Sequence, residues 1–202
     1  RNFNSLLHAL YVADILCQIA LVDSIKIATF WDLKEGPYEI FYLKKGLVRR
    51  PPYYVFKLFA DSIRKGMKIV KTTVEGGNFT ISNQERYGIL VWNEVKAIPP
   101  IPYIQTLATI DRDLNKLYLL VINRDITANR DVLINISGAR VSNQAKVYLI
   151  TGQSIEDRNE VGREKVVLKE FSYQLGRKEA LSSFTYVIPK HSVISFELTI
   201  LP

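Results

Sequence analysis

The sequence has a single cysteine, Cys17, and only two histidines among its 202 residues. One cysteine excludes a disulfide within the chain, and these three residues are too few for a closed metal cage built from nitrogen and sulfur ligands. Cys17 lies in an apolar pattern of helical spacing, where a buried cysteine packs as a small hydrophobic side chain. A reactive thiol is the alternative, but no partner histidine is evident. We therefore expect neither a metal nor a cofactor.

Long hydrophobic runs are also missing, although 48% of the residues are hydrophobic. The longest apolar stretch, residues 6–22, is interrupted by His8, Asp14 and Gln18, so no segment reaches the roughly 18 apolar residues of a membrane span. The chain begins at Arg1, without an initiator methionine or a signal-peptide pattern. We expect a cytoplasmic protein whose true N-terminus lies before Arg1.

Positive charge is present but is not concentrated in one place. The formal net charge is +7, and the basic pairs at 44–45, 49–50, 64–65 and 177–178 are scattered along the chain. A solvated surface explains this pattern better than a nucleic-acid-binding face, which needs clustered basic residues. Many Lys and Glu residues, with one Met and one Cys, also fit a heat-adapted protein.

The first 65 residues have the pattern of a helix, a strand and a second helix. Apolar residues at helical spacing predict a helix over 2–20, and the short apolar run 25–30 predicts a buried parallel strand. A long polar loop over 34–52 follows, and helical spacing resumes over 53–65. A buried parallel strand needs neighbours on both edges and helices over both faces. Another chain, or an earlier part of a longer polypeptide, is therefore expected to complete this unit.

After Gly66 the helical patterns give way to short alternating runs that predict strands. Residues 111–115 read as the turn of a hairpin, and nine strands at this spacing indicate an antiparallel β-sandwich. We place a domain boundary at Gly66, giving a first domain over 1–65 and a sandwich over 66–202. The predicted strands are 68–74, 88–92, 104–110, 116–123, 131–136, 145–151, 165–168, 184–188 and 192–200.

Six segments follow one another along the chain as landmarks, namely 2–10, 22–28, 52–59, 117–125, 151–159 and 189–193. In this order they resemble the C-terminal third of α-L-arabinofuranosidases of glycoside hydrolase family 51. The resemblance implies the last helix–strand–helix portion of a (β/α)8 barrel, followed by a sandwich of jelly-roll type. It also implies a retaining glycosidase that removes terminal arabinofuranosyl groups from hemicellulose or arabinan. Both catalytic Glu residues would precede Arg1, so no catalytic residue is expected in this chain.

The resemblance also indicates substrate-binding residues at the end of barrel strand eight. Active sites of such barrels lie at the C-terminal ends of the strands, which here means Trp31 and Asp32. Similar enzymes have a Gln or Asn where this chain has Asp32, which could instead cap a loop or form a salt bridge. Trp31 could stack on a sugar ring or pack under the barrel rim. The loop with Tyr38, Phe41 and Tyr42 would overhang the cleft or join subunits, since family members commonly form hexamers.

Other readings of the chain stay open. Tyr87, Trp92, Tyr103 and Tyr118 could form a carbohydrate-binding platform, although core and interface packing explains them better. The chain could accordingly be a non-catalytic accessory sandwich, or it could belong to a relative with endoglucanase specificity. His8 is expected on the solvent-facing side of its helix and His191 in a turn.

Overall fold

The computed structural model describes residues 3–34, 36–43, 46–64, 66–80, 99–113 and 115–202, so the predicted strand 88–92 lies outside the described residues. Two helices and thirteen strands are described. They are α1 (Leu6–Ala20), β1 (Phe41–Tyr42), β2 (Val48–Arg49), α2 (Pro51–Ser62), β3 (Lys68–Val70), β4 (Asn78–Phe79), β5 (Ile101–Pro102), β6 (Ile104–Asp111), β7 (Lys116–Asn123), β8 (Arg130–Asn135), β9 (Arg140–Ile150), β10 (Leu168–Gln174), β11 (Ala180–Leu181), β12 (Ser183–Ile188) and β13 (Ser192–Leu201).

One antiparallel sheet forms the centre of the molecule. Its strand order is β10-β9-β13-β7-β6-β3, and β11 extends it by pairing with β9. The predicted hairpin at 111–115 is confirmed, because β6 and β7 pair in register from Ile104 opposite Asn123 to Asp111 opposite Lys116. Strands β8 and β12 form a second antiparallel layer, so the predicted mainly β sandwich is also confirmed.

The central sheet is buried on both faces. In β7, Leu120 and Ile122 belong to a core shared with the helices, whereas Leu119 and Val121 belong to the core between the two sheets. Successive residues of a strand point to opposite faces, so a strand that is covered on both sides is apolar at every position. This explains the continuous Leu-Leu-Val-Ile run of β7.

Helices α1 and α2 cover one face of this sheet. The apolar stripe predicted for the first helix is buried, with Leu6, Ala13 and Cys17 fully inaccessible to solvent. Burial raises the pKa of the Cys17 thiol to about 12, with a smaller contribution in the same direction from Asp14, so the thiol stays protonated and unreactive.

The second helix begins at Pro51, two residues before the predicted start, because proline suits the first turn of a helix.

Strand β10 begins later than the sequence indicates. Residues 165–167 were expected to be part of the strand, but β10 runs over Leu168–Gln174. The backbone N–H groups of Lys165 and Val166 instead donate to the side-chain oxygen of Asn159, at 2.9 and 2.8 Å. Their hydrogen bonds are made to a side chain rather than to a neighbouring strand.

The predicted parallel strand at 25–30 is absent from the described structure. These residues have no strand assignment, and Ile27 is 83% exposed. An isolated strand leaves its backbone polar groups unpaired, and no described strand lies beside this one to pair with it. The remainder of a barrel is likewise not shown by this chain.

Candidate functional site

The segment over 21–33 is largely apolar and exposed, and it contains the two residues expected to contact a sugar, Trp31 and Asp32. We call it the apolar segment. Exposed hydrophobic stretches of this length on a folded chain usually mark a surface that another element covers. Its large exposed hydrophobic residues are Leu21, Val22, Ile25, Ile27, Phe30, Trp31 and Leu33.

An aromatic cluster lies at the end of this segment, where Tyr38 is the central ring. Its centroid is 4.7 Å from Phe3, 5.5 Å from His8 and 6.3 Å from Trp31. Trp31 remains 76% exposed, so one face of its indole is available for stacking.

His8 is buried, which corrects the expectation that it faces solvent. Only 7% of it is exposed, because Phe30 and Tyr38 fold over the outer side of α1. Burial lowers the pKa of His8, so its imidazole is uncharged at neutral pH. Within the described part of the chain, its Nδ1 atom has no hydrogen-bond partner.

Asp32 has the left-handed backbone conformation, with φ of 69°. Its Oδ2 atom is buried and makes no hydrogen bond to any described residue. Gly36 packs directly against this side chain, since a Cβ atom at Gly36 would lie 2.1 Å from Oδ2. Gly36 thus covers an acceptor oxygen of Asp32 that has no partner among the described residues.

Sequence reasoning missed the polar residues that support this region, namely Glu39, Arg50, Asp157 and Asn159. All four are buried. Residues 151–159 are one of the six landmarks of the resemblance, but no pattern in the sequence pairs them with residues more than 100 positions earlier.

The loop over 151–167, which we call the sandwich loop, closes the N-terminal end of α1. The backbone N–H groups of Leu6 and Leu7 donate to the carbonyl oxygens of Asp157 and Ile155, at 2.9 and 2.8 Å. The first N–H groups of a helix have no partner within it, and Ser5 provides no side-chain cap. The sandwich therefore supplies hydrogen-bond acceptors for the first N–H groups of α1.

Asp157 stabilises the sandwich loop from within. It accepts hydrogen bonds from the N–H groups of Gln153 and Ser154, at 2.8 and 3.0 Å, and from Lys165 at 2.6 Å. Burial alone would raise its pKa, but the hydrogen bonds from Lys165 and the two N–H groups outweigh burial and hold the pKa below its ordinary value.

The stabilisation from Asp157 is expected to be lost in acid. A carboxylate with a lowered folded-state pKa stabilises the fold fully above its unfolded pKa of about 4, and loses this effect as the pH falls through the folded pKa. The difference in melting temperature between wild type and Asp157→Asn should therefore be constant above about pH 5 and shrink below about pH 4. A difference unchanged down to about pH 2 would contradict this. Asp61→Asn, at an exposed position on α2, is the control.

The aromatic and histidine candidates that the structure describes have packing roles. Tyr118 is 5% exposed, and Tyr103 lies beneath Arg130, whose guanidinium carbon is 3.9 Å from the ring centroid. Tyr87 and Trp92 lie outside the described residues. His191 is in a turn as expected, and its Nε2 atom lies 3.0 Å from the carbonyl oxygen of Gly152.

The described ranges contain neither a cluster of metal ligands nor a helix that could span a membrane. No group of three or more His, Cys, Asp or Glu side chains there is arranged to hold a metal ion. Neither of the helices described has the length and apolar character needed to cross a bilayer.

Two helices cover one face of a large antiparallel sheet and a smaller sheet covers the other, and this arrangement also occurs in solved glycoside hydrolases. The family 51 α-L-arabinofuranosidase of Thermotoga petrophila RKU-1 matches with a TM-score of 0.80 and 21% identity. The α-L-arabinofuranosidase of Thermotoga maritima, solved as an arabinose complex, matches with 0.79 and 20%. Each match covers 98% of this chain and 39% of the solved chain. At these identities the likeness establishes the fold alone.

The sequence itself establishes the family. Residues 6–192 match the model of the alpha-L-arabinofuranosidase C-terminal domain, so the chain belongs to that family. No curated protein matches the chain. A glycoside hydrolase family 30 subfamily 8 xylanase from Clostridium acetobutylicum shares the fold, with a TM-score of 0.65 and 14% identity over 98% of this chain and 40% of its own. The chain thus spans about two fifths of the length of these enzymes.

Proposed function

We propose that the chain is the C-terminal part of a retaining α-L-arabinofuranosidase that acts on terminal arabinofuranosyl residues of hemicellulose or arabinan. The observation that supports this most directly is the apolar segment, which lies exposed beside α1 and α2 and includes Trp31 and Asp32 near its end. In the complete enzyme it is the eighth strand of a (β/α)8 barrel. The other strands come from an upstream part of the polypeptide or from another chain, and they cover its apolar side chains.

The chemistry of this proposal is divided between the two parts. A retaining glycosidase needs two carboxyl groups about 5–5.5 Å apart, one as the nucleophile that attacks the anomeric carbon and one as the acid that protonates the leaving oxygen. The upstream part supplies both, so this chain alone is inactive. Asp32 accepts a hydrogen bond from a sugar hydroxyl, and its negative charge raises the pKa of the neighbouring catalytic carboxyl groups.

A chromogenic assay tests this function. The complete enzyme, meaning the barrel together with this chain, should hydrolyse p-nitrophenyl α-L-arabinofuranoside, whereas residues 1–202 alone should not. Absence of turnover by the complete enzyme would exclude the proposed activity. Turnover by the isolated chain would show that the catalytic carboxylates lie within it.

Replacing Asp32 with alanine should lower kcat/KM for this substrate roughly tenfold, because the variant loses one charge-assisted hydrogen bond to the sugar. The melting temperature should fall only modestly, because Asp32 Oδ2 has no partner among the described residues, whereas alanine tolerates the left-handed backbone at this position less well than aspartate does. Asp61→Ala removes an exposed carboxylate from α2 and should leave the kinetics unchanged. Equal kinetics for the Asp32 and Asp61 variants would remove Asp32 from the site.

A second candidate is an enzyme of the same architecture that cleaves within a β-linked chain. The family 30 xylanase shares this fold over 98% of the chain, so the fold alone does not distinguish between terminal arabinofuranosyl groups and a β-linked chain as the substrate. Parallel assays on xylan and on β-glucan separate the candidates, because only an endo-acting enzyme shortens these polymers.

A further inference from the structure

The sandwich loop is held in one conformation by the side chain of Asn159. Its Nδ2 group donates to the carbonyl oxygens of Arg49 and Val166, at 2.9 and 2.6 Å. Its Oδ1 atom accepts from the N–H groups of Lys165 and Val166. Since Asn159 is fully buried, the amide has little freedom to reorient, and its own carbonyl group and the adjacent Glu160 are presented at a fixed place.

Arg50 connects this loop to the segment that follows Asp32. On one side its Nη1 group donates to the carbonyl oxygen of Asn159 and lies 3.3 Å from Glu160 Oε1. On the other side its Nε and Nη2 groups donate to Glu39 Oε1, at 2.9 and 2.6 Å. Both side chains of this pair are buried, with 9% and 5% exposed, so the pair is shielded from water and salt. The guanidinium group spans the two partners as a lysine ammonium group would not.

Backbone hydrogen bonds continue the connection from Glu39 to Asp32. The N–H of Ile40, next to Glu39, donates to the carbonyl oxygen of Asp32 at 3.3 Å, and the N–H of Phe41 donates to that of Leu33 at 3.1 Å. The N–H of Arg50 donates to the carbonyl oxygen of Ile40 at 2.9 Å. A displacement of Glu39 therefore moves the backbone that sets the direction of Asp32.

We infer that Arg50 and Glu39 are positioning residues through which the sandwich sets the geometry of the sugar site at Trp31 and Asp32. This inference rests on the proposed function for the role of Asp32. The sandwich is then more than a support for the barrel, because one of its loops is coupled to substrate contact. A small misplacement of a binding group is enough to lower a rate substantially.

Kinetics of the complete enzyme provide one test. Glu39→Gln keeps the shape of the side chain but removes its charge. Arg50→Lys keeps the charge but loses the planar guanidinium group, whose several N–H donors reach two partners at once. Each should lower kcat/KM for p-nitrophenyl α-L-arabinofuranoside roughly tenfold. In an Asp32→Ala background the same changes should cost less than about twofold, because residues that act through one another are not additive. Lys57→Gln, at an exposed position on α2, is the matched control and should have no effect in either background.

Amide hydrogen exchange of the same variants provides a test that does not depend on activity. The amides of Ile40 and Phe41 should exchange faster in Glu39→Gln and in Arg50→Lys, while those of β13 keep their protection. Unchanged exchange at Ile40 and Phe41 would overturn the inference, as would equal kinetic losses with and without Asp32. If the wild-type enzyme does not turn over the arabinofuranoside, the proposed function fails. The exchange result alone then decides whether Arg50 holds the segment.

Discussion

Replacing Phe196 with alanine is expected to destabilise the sandwich by about 3–5 kcal/mol, the usual cost of truncating a fully buried aromatic side chain. Phe196 is completely inaccessible to solvent and lies in the central sheet on β13. Its ring contacts Phe184 and Tyr186 on the opposing layer, with centroids 5.6 and 5.0 Å away in edge-to-face geometry. The substitution removes both aromatic contacts and leaves a cavity that neighbouring side chains fill only in part.

This effect is measured by unfolding the complete enzyme in urea and monitoring the loss of amide exchange protection in β13. Leu133→Ala is the control, because Leu133 also lies in the sandwich but is 62% exposed. Its substitution should change the free energy of unfolding by about 0.5 kcal/mol at most. Similar losses for Phe196→Ala and Leu133→Ala would mean that the core between the two sheets contributes little to stability.

Replacing Asn159 with alanine is expected to cost about 3 kcal/mol or more, although the change removes only a few atoms. The Asn159 side chain forms hydrogen bonds with two N–H groups and two carbonyl oxygens, and the substitution would leave these four groups without that hydrogen-bond partner. A buried polar group that loses its partner costs roughly 1–3 kcal/mol, and water has poor access to this site. The sandwich loop should open as a result, and with it the cap of α1.

Thermal unfolding of the complete enzyme measures the loss at Asn159. Asn129→Ala is the matched control, because the exposed Asn129 accepts one hydrogen bond from the described residues, donated by the N–H of Lys190. That variant should lose no more than about 1 kcal/mol. A melting temperature for Asn159→Ala equal to that of the control would show that water replaces the amide at no cost.

The sandwich could be predicted from the sequence where local pattern and tertiary packing agree. The run over 116–123 predicts a strand with the bounds that β7 has. The alternation over 192–200 places Ile194, Phe196 and Leu198 on one face, and all three lie in the core between the sheets. In both cases the signal is local, because each position is apolar or polar according to the face it occupies.

The regions that escaped prediction depend on partners far away in the sequence. The run over 25–30 has the composition of a strand, but a strand forms only where another supplies hydrogen bonds. His8 is polar, yet it is buried because Phe30 and Tyr38 return to cover it. Arg50 stands in an ordinary basic pair, and its pairing with Glu39 and Asn159 becomes evident only in three dimensions.

The central sheet has a hydrophobic core on each of its two faces, and this limits where the chain can be divided. Leu120 and Ile122 on one face of β7 need the helices as much as Leu119 and Val121 on the other face need the second sheet. A cut at Gly66 would separate α1 and α2 from the sheet they cover and expose an apolar surface to water. Recombination between relatives should therefore transfer the two helices together with the sandwich, so the unit of inheritance begins before the sandwich, at α1.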